Sequence, residues 1–526
     1  MSRPLTLTTA ISYPNGRPHI GHAYEAIATD AIARAARMMG RDVYFQTGTD
    51  EHGLKMAQAA RARDMTPAEL AAEMSAYFKE MDDALGISYD RFIRTTEPAH
   101  HCASQAIWQA MADAGDLYTG RYEGWYSVRD EAYYADDEVV AGEDGEKLSP
   151  QGTPVEWTVE ENWIFRLSKY QEPLLKFYAE HPDFIQPESR RNEVLRFVEA
   201  GLQDLSVSRS TFDWGVKVPG TPDHVMYVWV DALTNYITGC GYPDDAERMA
   251  RYWAEGGDIV HIIGKDIVRF HAVYWPAFLM SAKLPLPSRI FGHGFLLNRG
   301  AKMSKSLGNV TDPLELTERY GVDQLRYFLL AEVTFGNDGS YSAEAIVQRS
   351  NTELGNAFGN LAQRTLSFIA KNLEGRLPSN DFSPAQEDLD LYHSVRDTCS
   401  VQMPRNFGEL APSDAIQAWL RAVFACNAYI DAQAPWALRK TDPARMEAVL
   451  ATLYVAIGQL AAAIQPVIPG SAAKLLDHMG VPEGARSYAG LATDWYADLR
   501  SAGFTVGPPA PLFPRLEAPA EDSEEV

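Results

Sequence analysis

Ala10-Ile11-Ser12-Tyr13-Pro14-Asn15-Gly16-Arg17-Pro18-His19-Ile20-Gly21-His22 links two segments of different hydrophobic period. Upstream, the alternating run Leu5-Thr6-Leu7-Thr8-Thr9 reads as a strand. Pro14-Asn15-Gly16 and Pro18 are turn chemistry. Downstream, Ile27, Ala31, Ala35 and Met38 recur at helical spacing, which predicts a helix from Ala23 to Met39 stopped by Gly40. The two histidines therefore stand where a strand hands over to a helix. A helix start offers N–H groups without partners and a positive dipole end, which together favour phosphate. His19 and His22 are three apart and can face the same way, with Gly21 keeping a side chain out of a ligand's path. Two imidazole donors in that place suit a polyphosphate whose charge shifts during a reaction. Alone, the pattern is equally that of a loop with two surface histidines.

A second stretch changes the balance. Lys302-Met303-Ser304-Lys305-Ser306 follows Gly292-His293-Gly294 and Gly300. Two lysines three apart in a glycine-rich loop can bring two point charges to a phosphate chain. Taken singly, such a run is a solvated basic loop. Taken as a pair, the two stretches resemble the two signatures of class I aminoacyl-tRNA synthetases. Further matches along nearly the whole chain narrow this to the methionyl-tRNA synthetase family, in its bacterial form without a zinc knuckle.

Composition sets bounds. The 526 residues suggest three or four domains, and the 46% hydrophobic and 22% charged content is that of an ordinary globular protein. The net charge of -24 excludes holding nucleic acid by bulk charge, so any RNA must meet a local basic or aromatic surface. No apolar run approaches a membrane span, and no signal peptide is expected. Cys102, Cys240, Cys399 and Cys426 form no metal or disulfide spacing. They read as buried free thiols of a cytoplasmic protein.

The expected fold class is α/β: a Rossmann-like parallel-sheet catalytic domain split by an insertion, then an all-α helical bundle. Residues 1–115 read as the first catalytic half, 116–220 as the insertion and 221–294 as the second half. The lysine loop and its connecting segment fill 295–341, the bundle 342–500 and an extended or frayed tail 501–526. Val43 to Thr47 and the apolar run Ile259 to Ile263 read as strands, the latter central. Asp50 and His52 follow the former, Asp50 also being a candidate helix cap. Ile267 to Lys283 and Asn351 to Arg364 read as helices, and Pro378, Pro404, Pro412, Pro435 and Pro469 as helix breaks. The insertion has Ser127-Val128-Arg129-Asp130 where many relatives carry a Cys-x-x-Cys knuckle, so no structural zinc is expected.

The resemblance implies a two-step reaction. Methionine's carboxylate attacks the α-phosphate of ATP, giving methionyl-adenylate and pyrophosphate. The terminal ribose hydroxyl of tRNA(Met) then takes the methionyl group. Both nucleophiles come with the substrates, so catalysis is positioning and charge stabilisation. By resemblance, His19, His22, Lys302 and Lys305 are catalytic. Gly21, Asp266, Gly294 and Met303 join them around ATP, with Asp266 as a ribose acceptor, and Mg²⁺ arrives on the phosphates. The methionine slot falls to Ala10, Ile11, Tyr13, Asp50, Trp229, Ala232, Leu233, Tyr236, Ile267, His271 and Trp275. In it Asp50 takes the ammonium group, while the Tyr13 hydroxyl and His271 approach the sulfur. Asn360, Arg364 and Trp436 match the family's readers of the CAU anticodon. A monomer is expected, because the chain lacks the extra module with which some relatives dimerise. The competing readings are a small-molecule nucleotidylyltransferase with a similar His-x-Gly-His signature and a class I synthetase for another apolar amino acid.

Overall fold

The structure is a computed structural model. It describes residues 3–129, 132–134, 136–142, 146–298, 301–302, 311–379 and 384–517. The chain folds into two compact units. The first comprises Met1–Pro18, Tyr44–Asp83 and Tyr89–His293, and the second His19–Val43, Ala84–Ser88 and Gly294–Val526. The strands used below are β1 (Leu5–Thr9), β2 (Val43–Thr49), β3 (Arg91–Arg94), β4 (Ile185–Gln186), β5 (Asp258–Gly264) and β6 (Arg289–His293). The helices are α1 (Ile20–Met38), α2 (Pro98–Asp113), α3 (Val228–Gly239), α4 (Trp275–Ser281), α5 (Val322–Glu332), α6 (Asn360–Asn372), α7 (Gln386–Asp397), α8 (Pro412–Gln433), α9 (Pro435–Thr441) and α10 (Pro443–Ala463).

The first unit is built on a six-stranded sheet in the order β3-β2-β1-β5-β6-β4. β1 pairs parallel with β5, from Leu5 opposite Asp258 to Thr9 opposite Ile262. β5 pairs parallel with β6, and β2 with β3. From β1 the strand order runs outward in both directions. The crevice beyond the carboxyl ends of β1 and β5 is therefore the switch point at which such sheets bind ligands. β5 is buried from Ile259 to Ile263, as a strand covered on both faces requires. The insertion is not wholly separate from this sheet. Its Ile185–Gln186 pairs parallel with β6 and forms the edge strand β4. The rest of it is largely antiparallel, led by the long pairing of Leu117–Ser127 with Glu156–Phe165.

The predicted break at Pro404 needs correction, and Pro276 within the predicted Ile267 to Lys283 helix is accommodated in the same way. Pro276 and Pro404 do not break their helices. Each sits one residue into an α-helical stretch that follows a π turn, Phe270–Tyr274 and Thr398–Gln402 respectively. A proline inside a helix lacks an N–H and collides with the carbonyl four residues back. The wider turn removes the collision. For Pro276 that carbonyl belongs to Ala272, and the Tyr178 hydroxyl donates to it at 2.6 Å. Asn351 to Gly359 is likewise wound as a π segment before α6 begins. Pro412, Pro435 and Pro469 do begin helices.

The second unit is helical and contains α1, which packs against α5, α8 and the Met403–Gly408 helix. Its central helix α10 is apolar and long enough to cross a membrane by composition, but 83% of that window is buried in the bundle. Residues 502–517 are not frayed. The Asn351 carboxamide exchanges two 2.9 Å hydrogen bonds with the peptide of Leu516, the Val506 N–H donates to Gly375 O, and Phe513 is buried. Residues 518–526 lie outside the described residues. Three cysteines are buried and Cys102 is exposed, contrary to the expectation for that residue.

Candidate active site

The loop after β1 is zipped to its neighbours. Ala10 N–H donates to Ile262 O of β5 at 3.1 Å, Ser12 N–H to Gly48 O at 2.9 Å, and Asp50 N–H to Ser12 O at 2.9 Å. Backbone bonding thus fixes Ala10, Ile11 and Asp50 at the carboxyl ends of the central strands. Asp50 is buried and does not cap the following helix, whose cap is Gly53. The Tyr13 hydroxyl accepts the N–H of Met56 at 2.8 Å, and its ring packs in a small cluster with Trp214. Asp266 is exposed in the 3-10 turn that leaves β5.

Trp229, Ala232, Leu233 and Tyr236 are spaced i, i+3, i+4, i+7 and share one face of α3. Facing them is the run that carries Ile267, His271 and Trp275 across the π turn. The Tyr236 hydroxyl lies 2.7 Å from His271 Nε2, and His271 Nδ1 lies 3.0 Å from Ile267 O. A carbonyl only accepts, so Nδ1 carries the ring proton and Nε2 accepts from Tyr236. Both nitrogens are spent. In this geometry the His271 ring presents its surface rather than an N–H to its surroundings. Trp229 stacks on Phe270 at 3.8 Å, and Tyr236 on His261 at 4.1 Å. Trp275 is fully buried beside Tyr236.

Burial pushes His271 down to about 4, its bond to Ile267 O offsetting only part of this. His261 lies further down, through burial and then through His271. Unfolded imidazoles take protons near 6.5, so the unfolded chain binds more protons between about pH 4 and 6.5. Stability must therefore fall as pH drops through that window, with His271 alone contributing ~3 kcal/mol below it. A urea midpoint followed from about pH 7 to 5 should decline, and less so in H271Q.

The second unit carries the histidines. α1 starts at Ile20, three residues earlier than its apolar pattern predicts, because His19 is its N-cap. Gly21 N–H donates to His19 Nδ1 and His19 N–H to His22 Nδ1, each at 3.1 Å. This reciprocal cap is normally built from Ser or Thr with Glu. Since Nδ1 accepts in both rings, each neutral ring carries its proton on Nε2. The rings lie 3.8 Å apart. A Cβ on Gly21 would sit 2.9 Å from His19 Cε1, so the glycine makes room for the histidine's own ring. Gly294 similarly accommodates the backbone of Asn337, 2.2 Å from where its Cβ would be. Of the lysine loop, Ala301–Lys302 pairs with Leu297 and Asn298, while Met303 and Lys305 lie outside the described residues.

In the bundle, Asn360 is exposed. Arg364 donates to Asp431 at 2.9 Å and to Asn427 at 3.0 Å, both on the last turns of α8. Trp436 is the second residue of α9, a few residues later, and is 50% exposed; the cap before that helix, Ala434, lies in the left-handed region at φ 43°. Arg439 of α9 donates to Asn372 at the end of α6.

Sequence reasoning missed two groups. Arg209 is buried over the rings of Tyr126, Tyr133 and Tyr227, with Nε and Nη2 lacking a hydrogen-bond partner. The tyrosine cluster was the available signal. Asp231 lies buried between His52 and His100, and nothing in the sequence joins residues so far apart. Among the described residues no three His, Cys, Asp or Glu side chains gather as metal ligands.

A parallel sheet with its loops at the switch point, a histidine-capped helix start and a C-terminal helical bundle define a class I aminoacyl-tRNA synthetase. The family described as "tRNA synthetases class I (M)" matches residues 5–366, and "Anticodon binding domain of methionyl tRNA ligase" matches residues 410–525. The methionine--tRNA ligase of Brucella suis is 56% identical over 515 residues, 97% of either chain. That of Rhizobium meliloti is 54% identical over 517 residues, 98% of this chain and 99% of the other. The structure of Mycobacterium tuberculosis methionyl-tRNA synthetase in complex with methionyl-adenylate superposes with a TM-score of 0.93 at 53% identity, covering 98% of this chain and 100% of that one. The apo form of the same enzyme gives 0.85 at 49% identity, covering 98% and 99%. The chain belongs to the methionine--tRNA ligase family. It is an enzyme of that activity, and the nucleotidylyltransferase and other-amino-acid readings are set aside.

Proposed function

We propose that this chain joins methionine to tRNA(Met) through methionyl-adenylate. The carrying observation is the near full-length match to relatives of that activity, one of them solved with methionyl-adenylate. In the first unit, Ala10, Ile11, Tyr13, Trp229, Ala232, Leu233, Tyr236, Ile267, His271 and Trp275 enclose the methionine side chain. The aromatic rings on two of the elements support this, since thioethers pack well against ring edges. Asp50 takes the ammonium group in a charge-assisted contact, and Asp266 the ribose.

In the second unit, His19 and His22 donate from Nε2 to the ATP phosphates. The reciprocal cap supports this, because it commits Nδ1 and leaves the proton on the other nitrogen. As the carboxylate oxygen bonds to the α-phosphorus, the bond to the β-phosphate oxygen breaks and charge passes to pyrophosphate. Lys302 and Lys305 follow that charge, with Met303 on the same loop. Mg²⁺ bound with ATP would screen the charge of the phosphates. Residues 116–220 hold no structural zinc, since no cysteine lies between Cys102 and Cys240. Residues 1–115 and 221–294 form the catalytic domain, 295–341 the connecting segment, and 342–500 the anticodon domain. The enzyme works as a cytoplasmic monomer.

Asn360 and Arg364 read anticodon base edges, and Trp436 stacks on the cytosine of CAU. Trp436 is half exposed on a helix start, where a base can reach its face. Methionine should support exchange of pyrophosphate into ATP and leucine only poorly. W436A should leave that exchange intact while lowering kcat/KM for tRNA charging about 10- to 100-fold, the range for one lost stacked base. Exchange supported by leucine and not methionine would refute the substrate assignment. Loss of both activities in W436A would make Trp436 structural.

A further inference from the structure

A buried cluster beneath the β2 exit is not used by the chemistry above. The Asp231 carboxylate is fully buried on α3, whose opposite register carries Trp229, Ala232, Leu233 and Tyr236. His52 Nδ1 lies 2.7 Å from its Oδ2, and His100 Nε2 of α2 lies 2.6 Å from its Oδ1. Ser104 and Thr238 hydroxyls complete the surroundings of His100 at 3.2 and 3.1 Å. Asp231, His52 and His100 are each at most 2% exposed. Burial raises the Asp231 carboxyl, but His52 and His100 outweigh it and hold the group well below the usual carboxylate range.

The same loop is pinned a second time. Glu51 is fully buried and accepts from Arg94 Nε and Nη2 at 2.7 and 3.0 Å, from Thr49 at 2.8 Å and from Thr96 at 2.6 Å. Trp214 Nε1 donates to Glu51 O at 2.6 Å. Asp50 is thus the residue before two side chains that are each locked by charge-assisted bonds.

We infer that Asp231 is a positioning residue for methionine: through His52 it sets the loop that presents Asp50, and through its own helix it sets the side-chain pocket. One carboxylate then fixes the distance between the two ends of the amino acid. This rests on the reading of Asp50 as the ammonium partner and goes beyond it. The methionine ammonium is held only as well as Asp50 is aimed, and a carboxylate free to swing forfeits most of a charge-assisted bond.

The test is pyrophosphate exchange with variants of the full chain. His52 binds through Nδ1, and the amide nitrogen of asparagine falls at that place. H52A should raise the methionine KM about tenfold, as one mis-set hydrogen bond to a charged group would. The ATP KM should stay near the parental value, and H52N should recover most of the loss. D231N presents an amide N–H to one of the histidines and should behave like H52A. The deaminated analogue γ-methylthiobutyrate, tested as a competitive inhibitor, should bind H52A as well as the parent. Should D231N fail to fold, H52A and H52N still decide. A lower melting temperature with an unchanged methionine KM in H52A would overturn the proposal, as would no rescue by H52N. D50N separates the two readings. If it leaves the methionine KM unchanged, the role of Asp50 falls. If it raises KM while H52A and D231N do not, this inference falls and that role stands.

Discussion

H22A is expected to lower methionine-dependent pyrophosphate exchange about 100- to 1000-fold, the usual cost of one donor aimed at developing charge. Two separate losses combine in that variant. His22 Nδ1 accepts the His19 N–H, and Nε2 carries the proton proposed for phosphate. Asparagine and glutamine separate them. In H22N the carboxamide lies at the δ position, so the cap survives and the ε donor is gone. In H22Q the carboxamide reaches the ε position, so a donor is kept and the cap is lost. Activity should rank H22Q above H22N and H22A. Stability should rank H22N above the other two by about 1 kcal/mol, the worth of an N-cap bond. Exchange rates set beside urea midpoints check both orders. If H22N retained full exchange, His22 would be a cap and nothing more.

How far the sequence could be read depended on whether a feature was local. β1 spans Leu5–Thr9 as its alternation predicts, and β5 is the doubly buried strand its apolar run implies. The start of α1 was misjudged because capping rules name Ser, Thr, Asp and Asn, and an imidazole can serve the same geometry. The π turn before Pro404 escaped because proline ordinarily stops a helix, and the one before Pro276 because the helical pattern runs straight across it. The Tyr178 hydroxyl, distant in sequence, donates to the Ala272 carbonyl that Pro276 cannot pair. The spacing 229, 232, 233, 236 was visible, but the use of both His271 nitrogens was not, since it depends on a π turn and on Tyr236. The absence of a side chain at Gly21 was legible, but not that the His19 ring takes up the room. Asp231 with His52 and His100 joins three stretches distant in the chain, and no local pattern announces that.

R326M is expected to destabilise the second unit by about 3–5 kcal/mol, the cost of breaking a fully buried ion pair. Arg326 on α5 has no exposed surface. Its Nη2 donates to Asp30 Oδ2 at 2.6 Å and to Pro466 O at 2.9 Å, Nε to Val467 O at 3.0 Å and Nη1 to Leu85 O at 3.2 Å. Methionine fills the volume but satisfies none of these four acceptors. Asp30, on α1, would keep Arg34 at 2.7 Å and the Ser88 N–H and O–H, and would still bear a buried charge that is only partly balanced. Burial raises the Asp30 carboxyl, and Arg326 first and Arg34 second bring it below its ordinary value. A carboxyl lowered by folding adds stability above its unfolded pKa, and that stability is lost as pH falls through the folded value. R326M should therefore lower the urea midpoint at neutral pH and flatten its decline in acid. R326K should be intermediate, because one ammonium cannot reach acceptors that a planar fork spans. The double variant D30N/R326M should lose less than the two single losses added, because the amide leaves no uncompensated charge. A fully additive cycle would mean that Arg326 acts through its three carbonyls alone. A coupling of 1 kcal/mol or more, within the range for residues in contact, would show that the charge pair itself ties the helix opened by His19 to the bundle.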